Sequence, residues 1–240
     1  MNFYTKIKNA LLDIIFPIEC VGCKKSKTFL CDDCLLTIPV RIDHSCSVCK
    51  KRPTPYGQVC LDCLGQSPLD GLLVTSSYKN SLLSKTIHLY KYRFIQKLSR
   101  PLSQLMLHTI IQSEIPLPDM LCPIPLHPLR NRWRGFNQAD LLAQTLSTKI
   151  LPQLTIPITH GLIRTRFTQP QMSVSDIRQR HDNIRNAFKW LPLPSEEMSL
   201  QGKYIWLIDD VATTTFTLTE CASVLKKNGA KKVFGIVLAR

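Results

Sequence analysis

The distribution of apolar and polar positions along the chain predicts an α/β protein. Continuous apolar runs bounded by polar residues are typical of buried parallel strands, and they occur at 72–78, 120–124, 204–208 and 233–239. Apolar residues at helical spacing occur at 81–97, 98–112, 135–150 and 218–228. The strand–helix–strand order within 204–239 predicts a right-handed crossover unit, the usual connection between parallel strands. We therefore expect a parallel sheet with flanking helices.

Eight of the ten cysteines precede these elements and form four Cys-x-x-Cys pairs. A spacing of two residues lets both thiolates of a pair face one metal ion, and two pairs complete a tetrahedral zinc site. The predicted ligands are Cys20, Cys23, Cys31, Cys34, Cys46, Cys49, Cys60 and Cys63. A closed four-thiolate shell leaves no open position for water or substrate. The pattern thus predicts two structural zinc ions in a small, zinc-ribbon-like module.

Two questions about these cysteines stay open in the sequence. The simplest assignment is sequential, with the first two pairs in one site and the last two in the other. An interleaved assignment, first with third pair and second with fourth, satisfies the same spacing. Disulfide pairing is a further alternative, which the absence of a secretory signal disfavours. Cys122 and Cys221 lie outside the pattern and are expected to be buried thiols.

The composition changes where the cysteine pattern ends, between 64 and 70. We place a domain boundary there: 1–68 would hold an N-terminal helix and the zinc module, and 69–240 the α/β domain. The segment 1–16 has scattered lysines and an apolar face but no signal-peptide cleavage pattern, and it predicts a short amphipathic helix. No apolar run approaches the ~20 residues that span a bilayer. We expect a cytoplasmic protein without a transmembrane segment.

The chain is strongly basic. Lysine and arginine number 31 against 17 acidic residues, a net charge of +14. Such an excess favours polyanionic partners such as nucleotides, nucleic acid or an acidic membrane surface. The stretch 89–93 mixes aromatic and basic residues, which suits base stacking and phosphate contacts. Its alternative is a helix core edged by solvated charges. Tyr90 and Tyr92 of this stretch, with Trp133 and Phe136 further along the chain, are the residues expected to be available for stacking on single-stranded DNA.

The most informative stretch follows the strand predicted at 204–208. Two acids, Asp209 and Asp210, are followed by a turn rich in threonine and then by a helix. Ligands of α/β sheets bind beyond the carboxyl ends of strands, and a helix start offers N–H groups to a phosphate. Two carboxylates beside such a phosphate site suit a sugar phosphate, which carries both a diol and a phosphate. Helix capping, the alternative, accounts for one acid or threonine but not for the whole set.

This stretch resembles the signature of type I phosphoribosyltransferases, which bind phosphoribosyl pyrophosphate (PRPP). The resemblance implies that Asp209 and Asp210 hold the ribose hydroxyls. It also implies that the turn holds the 5′-phosphate, through Ala212, Thr213, Thr214, Thr215 and Thr217. The family usually has glycine where this chain has Thr215. Because glycine allows a close backbone approach or a positive φ, this departure would lower the affinity.

A second stretch narrows the resemblance. A strand at 120–124 runs into a proline-broken loop, in which Arg130, Arg132 and Arg134 surround Trp133. Arginines in such a position suit a pyrophosphate. The sequences Pro-Ile-Pro-Leu-His-Pro and Arg-Gly-Phe-Asn-Gln resemble the ComF/GntX family of phosphoribosyltransferase-like proteins. These join a cysteine-rich zinc module to a PRPP-binding domain, and some serve DNA uptake in natural transformation.

The resemblance covers most of the chain: 20–63 as the zinc module, 120–138 as the pyrophosphate-side loop, 164–188 as a mobile loop and 203–240 as the PRPP core. It implies a type I phosphoribosyltransferase-like sheet preceded by the zinc module, with Arg134 among the PRPP-binding residues. His181, within the mobile loop, is expected to be a surface residue.

Two functions are consistent with these features. The first is a competence protein that binds PRPP and single-stranded DNA and handles DNA during natural transformation, with other DNA-uptake proteins at the inner face of the membrane as partners. The second is an active phosphoribosyltransferase that displaces pyrophosphate from PRPP with a base or amine, with Mg²⁺ organising the diphosphate. The sequence identifies neither a catalytic residue nor an acceptor pocket for the second.

Overall fold

The computed structural model describes residues 18–167, 184–191 and 199–240. The helix predicted at 1–16 and most of the mobile loop, including His181, lie outside these ranges. Within them, no helix is long and apolar enough to cross a membrane.

Six strands are present in the described residues. They are β1 (Gly71–Ser76), β2 (Met120–Pro123), β3 (Leu162–Arg164), β4 (Phe188–Trp190), β5 (Tyr204–Val211) and β6 (Lys232–Ala239). Four form a parallel sheet in the order β1-β6-β5-β2, and β3 and β4 form a separate antiparallel pair. The four predicted strands are confirmed as the central sheet. The β3–β4 pair was not predicted, because strands of three residues carry almost no periodic signal.

The helices flank this sheet. They are α1 (Asp32–Leu36), α2 (Ser81–Tyr92), α3 (Ser99–Ser113), α4 (Pro128–Arg134), α5 (Gln138–Lys149) and α6 (Phe216–Lys227). The first predicted helix ends five residues earlier than 97, because Phe94 adopts a positive φ of 57° and a 3₁₀ turn follows at Gln96–Leu98. The arginine-rich segment is a short helix, α4, and not the expected loop. Pro128 begins it and His127 Nδ1 caps it, accepting from the N–H of Leu129 at 3.2 Å.

Side chains alternate between the two faces of the sheet and form two cores. Along β5, Trp206 and Ile208 pack on the face covered by α2, α3 and α5. Ile205 and Leu207 pack on the opposite face, with α6. All four are fully buried, as the period of two in a strand covered on both sides requires. The predicted α/β class with flanking helices is confirmed.

The cysteine-rich module packs against the first of these cores. Cys20, Cys31 and Leu35 belong to the same buried cluster as residues of α3. The module is also hydrogen-bonded to β1: Arg41 N–H donates to the Thr75 carbonyl at 2.8 Å, and Ser76 Oγ donates to the Pro39 carbonyl at 2.6 Å. The module and the α/β domain therefore share buried contacts.

Candidate functional site

The eight paired cysteines form two clusters, each of four sulfurs within 4.8 Å of one another. The first contains Cys20, Cys23, Cys31 and Cys34, and the second contains Cys46, Cys49, Cys60 and Cys63. The structure thus brings together the sequential sets and not the interleaved ones. All ten cysteines are free, so disulfide pairing does not occur.

The sulfur geometry fits zinc. A tetrahedron with zinc–sulfur bonds of about 2.3 Å has sulfurs about 3.8 Å apart. Cys20 Sγ lies 3.6 Å from Cys31 Sγ, and Cys49 Sγ lies 3.9 Å from Cys60 Sγ. Backbone groups support the ligands: Cys31 N–H donates to Cys20 Sγ at 3.4 Å, and Cys60 N–H donates to Cys46 Sγ at 3.3 Å. Such outer contacts orient metal ligands.

Ionisation within each cluster also argues for a cation. Burial opposes the thiolate of Cys20, but backbone N–H groups, among them those of Cys23 and Cys31, lower its pKa to about 6. Hydrogen bonding with neighbouring cysteines, Cys31 first, and burial raise the pKa of Cys34 to about 12. The second cluster behaves alike, with a pKa of about 6 for Cys46 and about 12 for Cys63. The close packing of the sulfurs thus opposes the ionisation of all four cysteines of a cluster, and a bound cation would offset this by balancing their charge.

A cavity of about 380 Å³ opens at the carboxyl end of β5. It lies between the ends of α2 and α4, the start of α5 and the turn that follows β5. Its polar and charged lining includes Lys91, Arg130, Arg134, Asn137, Gln138, Arg164, Asp209, Asp210, Thr213 and Thr217. The two stretches singled out in the sequence thus face one cavity.

The two acids are the last charged residues of β5 and not residues of the following turn. The strand continues to Val211, which pairs with Ala239 of β6. The N–H of Asp210 donates to Asp209 Oδ1 at 2.8 Å, and Asp210 is only 5% exposed. Burial, and then the adjacent Asp210 carboxylate, raise the pKa of Asp209 to about 7. Ionisation of both carboxyl groups at once is therefore unfavourable in this buried position.

Lys91 compensates this charge from another element. It lies in the last turn of α2, and its Nζ is 2.8 Å from Asp210 Oδ1. Burial opposes the charged form of Lys91, but the carboxylates of Asp210 and Asp209 outweigh it and raise its pKa. In the sequence this lysine belongs to the aromatic and basic stretch 89–93. No local pattern could have paired it with an acid more than a hundred residues away.

The threonine-rich turn contributes unevenly to the cavity. Thr213 and Thr217 line it. Ala212 is 3% exposed, and its N–H donates to the Ala239 carbonyl at 3.1 Å, so that this N–H supports the turn. Thr215 is the N-cap of α6 with φ −75° and ψ −2°. Because this is a common backbone conformation, the position does not need glycine for its dihedral angles.

Arg134 and Gln138 also line the cavity. Arg134 Nη1 donates to Gln138 Oε1 at 2.6 Å. The buried Arg134 Nε and Gln138 Nε2 have no hydrogen-bond partner among the described residues. Buried donors are normally satisfied, so each of these two atoms could still donate to an acceptor oxygen. Gln138 was quoted within a motif but given no role, and its orphaned amide is visible only in three dimensions.

The aromatic residues divide into buried and exposed groups. Tyr90 is fully buried and Phe136 is 8% exposed, so the expectation that they could stack on bases is wrong. Trp133 is 64% exposed, and its ring meets that of Phe94 edge-on at 5.1 Å. Tyr92 is 41% exposed, with the guanidinium of Arg134 5.8 Å from its ring centre. We call Tyr92, Phe94 and Trp133 the aromatic rim, because Tyr92 and Trp133 also line the cavity.

A second cavity of about 490 Å³ adjoins the first and shares Pro125, Leu126, Asn137 and Arg164 with it. An ion pair lies in its wall: His160 Nε2 is 2.8 Å from Asp140 Oδ1. Gln144 Nε2 donates to the other carboxylate oxygen, Asp140 Oδ2, at 2.9 Å. The carboxylate is therefore held through both oxygens.

Comparisons with known proteins agree with this architecture. Residues 11–64 match the family model described as a double zinc ribbon domain. Competence protein F of Haemophilus influenzae is 30% identical over 236 residues, covering 94% of this chain and 98% of that protein. The DNA utilization protein YhgH of Escherichia coli O157:H7 is 32% identical over 83% of this chain and 92% of its own length. Competence protein ComFC of Bacillus subtilis is 28% identical, over 88% of this chain and 84% of its own length. The chain belongs to the ComF family.

Proposed function

We propose that this protein binds PRPP in the cavity at the end of β5 and single-stranded DNA along the aromatic rim, and that it handles DNA during uptake in the cytoplasm. The names of its relatives, competence protein F and DNA utilization protein, support the role in DNA uptake. The observation that carries the PRPP proposal is that the pair of acids and the two side chains with unpaired donors line one cavity.

The cavity lining offers both kinds of group that PRPP requires. Asp209 and Asp210 supply acceptors for the hydroxyl groups of a ribose. Arg134 Nε and Gln138 Nε2 are buried donors without a partner among the described residues, and they could donate to the diphosphate. Thr213 and Thr217 lie in the wall near the acids, where the 5′-phosphate would follow the ribose. Mg²⁺ would accompany the diphosphate, whose charge it balances.

Calorimetry with PRPP and Mg²⁺ tests this assignment, with ribose 5-phosphate and pyrophosphate as partial ligands. We expect PRPP to bind more tightly than either part, since only the whole molecule engages both the two acids and the arginine and glutamine donors. Equal affinity for PRPP and pyrophosphate would show that the acids take no part, and would contradict the proposal.

The single-strand proposal rests on the aromatic rim and the charge around it. Exposed aromatic rings next to arginines are typical of surfaces on which bases stack and phosphates are neutralised. Arg130, Arg132 and Arg134 lie on or beside the same short helix as Trp133. Binding of a labelled oligothymidylate, measured by fluorescence anisotropy at several salt concentrations, tests it. The absence of binding even at low salt would contradict it.

The second cavity favours a second candidate, phosphoribosyl transfer to a nitrogen acceptor. In that reaction the acceptor nitrogen would form a bond to C1′ of the ribose as the bond from C1′ to pyrophosphate breaks, and the acceptor's proton would pass to a base. The cavity beside Arg164 is large enough for a heterocyclic acceptor, and the His160–Asp140 pair lies in its wall. Steady pyrophosphate release in the presence of a candidate base or amine would favour transfer. Binding of PRPP without turnover would favour the first function.

A further inference from the structure

We propose that Lys91 is a positioning residue of the acidic pair, whose ammonium holds Asp210 in place and favours the carboxylate form of the pair that ribose hydroxyls require. The part of this inference that concerns ribose rests on the proposed binding of PRPP. The part that concerns the acids themselves does not.

The contact is short and shielded from solvent. Lys91 Nζ lies 2.8 Å from Asp210 Oδ1, and the two side chains are 21% and 7% exposed. Lys91 belongs to α2 and lies outside the segments that carry the family resemblance. Its position is fixed by its neighbour Tyr90, whose hydroxyl donates to the Gln138 carbonyl at 2.9 Å. A residue of α2, which is separate from the strand that carries the acids, thus supplies the ammonium group of the site.

The other charged or titratable groups near the acids leave Lys91 with the main compensating role. Arg164 of β3 faces Asp209 and carries a positive charge, although burial lowers its pKa. Cys221 of α6 is a neutral thiol because burial, first of all, raises its pKa well above the usual value. Burial and the Asp210 carboxylate likewise raise the pKa of Tyr90, which stays neutral. Among the described residues, the ion pair recorded for Asp210 is the one with Lys91.

Removal of this charge would change the protonation of the pair. Two adjacent buried carboxylates do not both ionise readily, and an opposite charge nearby lowers the pKa of each. Lys91 acts in this direction on Asp209, whose pKa burial and Asp210 already raise to about 7. Without Lys91 the pair would hold a proton in most molecules at neutral pH, and not in about half of them. One oxygen would then be a donor, and a ribose hydroxyl would lose an acceptor.

The first test needs no ligand. The carboxyl carbons of ¹³C-labelled aspartate are followed by NMR between pH 5 and 9 in the wild-type protein, in Lys91→Met and in Lys91→Arg. The control is Lys85→Met, which removes a charge from an exposed position on the same helix. We expect the highest aspartate midpoint to rise by about one pH unit or more in Lys91→Met. Lys91→Arg and Lys85→Met should leave it near the wild-type value. An unchanged midpoint in Lys91→Met would overturn the proposal.

The second test measures PRPP affinity with Mg²⁺ across the same pH range. The phosphates of PRPP also titrate, near pH 6. Because this titration affects every variant equally, the test compares the affinities of the variants at each pH. Lys91→Met should bind about fivefold more weakly at pH 7, because a midpoint that rises from about 7 to about 8 lowers the ionised fraction of the acid from about a half to about a tenth, and binding should recover by pH 9. A loss that persists at pH 9 would show that Lys91 contacts the ligand directly and would overturn the positioning role.

The two tests separate the two proposals. If the midpoint rises in Lys91→Met while the wild-type protein binds no PRPP, the function fails and the action of Lys91 on the acids stands. Circular dichroism and the zinc content of each variant check folding. Should Lys91→Met not fold, Lys91→Gln, which keeps a hydrogen-bond donor without the charge, must show the same midpoint rise.

Discussion

The hydroxyl of Tyr90 donates a hydrogen bond of 2.9 Å to the backbone carbonyl of Gln138. It joins the last turn of α2 to the first residue of α5, and both residues are fully or almost fully buried. Lys91 follows the tyrosine directly, and Arg134 contacts the side chain of the glutamine. One buried hydrogen bond thus joins the helix that carries Lys91 to the helix that carries Gln138.

Tyr90→Phe should therefore lower both stability and PRPP affinity. Loss of the hydroxyl leaves the buried Gln138 carbonyl without this partner, which costs about 1–3 kcal/mol. Urea unfolding measures the first effect and calorimetry the second. Tyr92→Phe removes a hydroxyl from an exposed ring and serves as the control. Equal stability of the two variants would contradict the linking role of Tyr90.

The zinc sites give a prediction that also separates the two pairings. Protein purified without chelator should contain two zinc ions, and either Cys20→Ser or Cys46→Ser should remove one. The double variant should contain none, because the two cysteines belong to different clusters. Cys221→Ser, at a buried thiol remote from the clusters, should keep both ions. A double variant that retains one zinc would support the interleaved pairing instead.

How far the sequence predicts this structure depends on the range of each interaction. The zinc ligands follow from a two-residue spacing, and the strand before Asp209 follows from an apolar run, so both are local signals. The sequence favours a loop for α4 because its three arginines and one proline obscure the helical pattern, whereas a proline in the first turn is compatible with a helix. The Lys91–Asp210 ion pair joins elements that are distant in sequence, so no spacing could indicate it.

The aromatic residues show the same limit at the site itself. Tyr90, Tyr92, Trp133 and Phe136 were treated alike as stacking candidates, since composition does not record which face of a helix is buried. Two of them lie in the core. Phe94, which joins the exposed group, lies just beyond the end of α2, where the helical periodicity on which the prediction relied no longer applies.

Asp209→Asn should weaken PRPP binding by about 10- to 100-fold, the equivalent of a charged hydrogen bond of about 1.5–3 kcal/mol.

The same substitution, Asp209→Asn, should alter the pH dependence of stability. The pKa of Asp209 in the folded protein is raised to about 7, so the folded state binds more protons than the unfolded state between about pH 4 and 7. This group therefore makes the wild-type protein less stable as the pH rises through that window.

Asparagine cannot ionise, so the variant should lose this contribution and gain stability relative to the wild type at pH 7 to 8. Thermal unfolding at pH 5 and pH 8 measures the difference. Asp210→Asn is the contrasting variant. It leaves the buried ammonium of Lys91 without its partner and should be destabilised by about 3–5 kcal/mol. Unchanged PRPP affinity in a folded Asp209→Asn protein would show that the acids do not bind the ribose.

Thr215→Gly tests the departure from the usual phosphate turn. The backbone at Thr215 has a negative φ of −75°, so glycine would relieve no strain in the dihedral angles. Any gain in PRPP affinity must come from a closer approach of the backbone to the phosphate. We expect tighter binding together with lower stability, since glycine adds flexibility to the unfolded chain. Thr219→Gly, within α6, is the control for stability and should leave the affinity unchanged. Equal or weaker PRPP binding by Thr215→Gly would contradict the expectation that threonine at this position lowers PRPP affinity.

Single-stranded DNA should bind with little sequence preference and a steep dependence on salt. Neutralisation of Z phosphates gives a log–log slope of roughly −0.7Z for single strands. Replacement of Arg130, Arg132 and Arg134 by glutamine should flatten this slope if the strand crosses α4, and should weaken PRPP alone if the helix serves only the pyrophosphate. Trp133→Ala should leave the slope unchanged but reduce affinity by about 1–3 kcal/mol through loss of stacking.

Leu129 provides a matched control for the tryptophan. It lies on the same short helix and is 56% exposed, against 64% for Trp133, but it has no ring on which a base could stack. Leu129→Ala should therefore bind single strands as the wild type does. If both alanine variants lose the same affinity, the effect comes from the helix surface and not from stacking. If neither loses any, the DNA does not cross the aromatic rim.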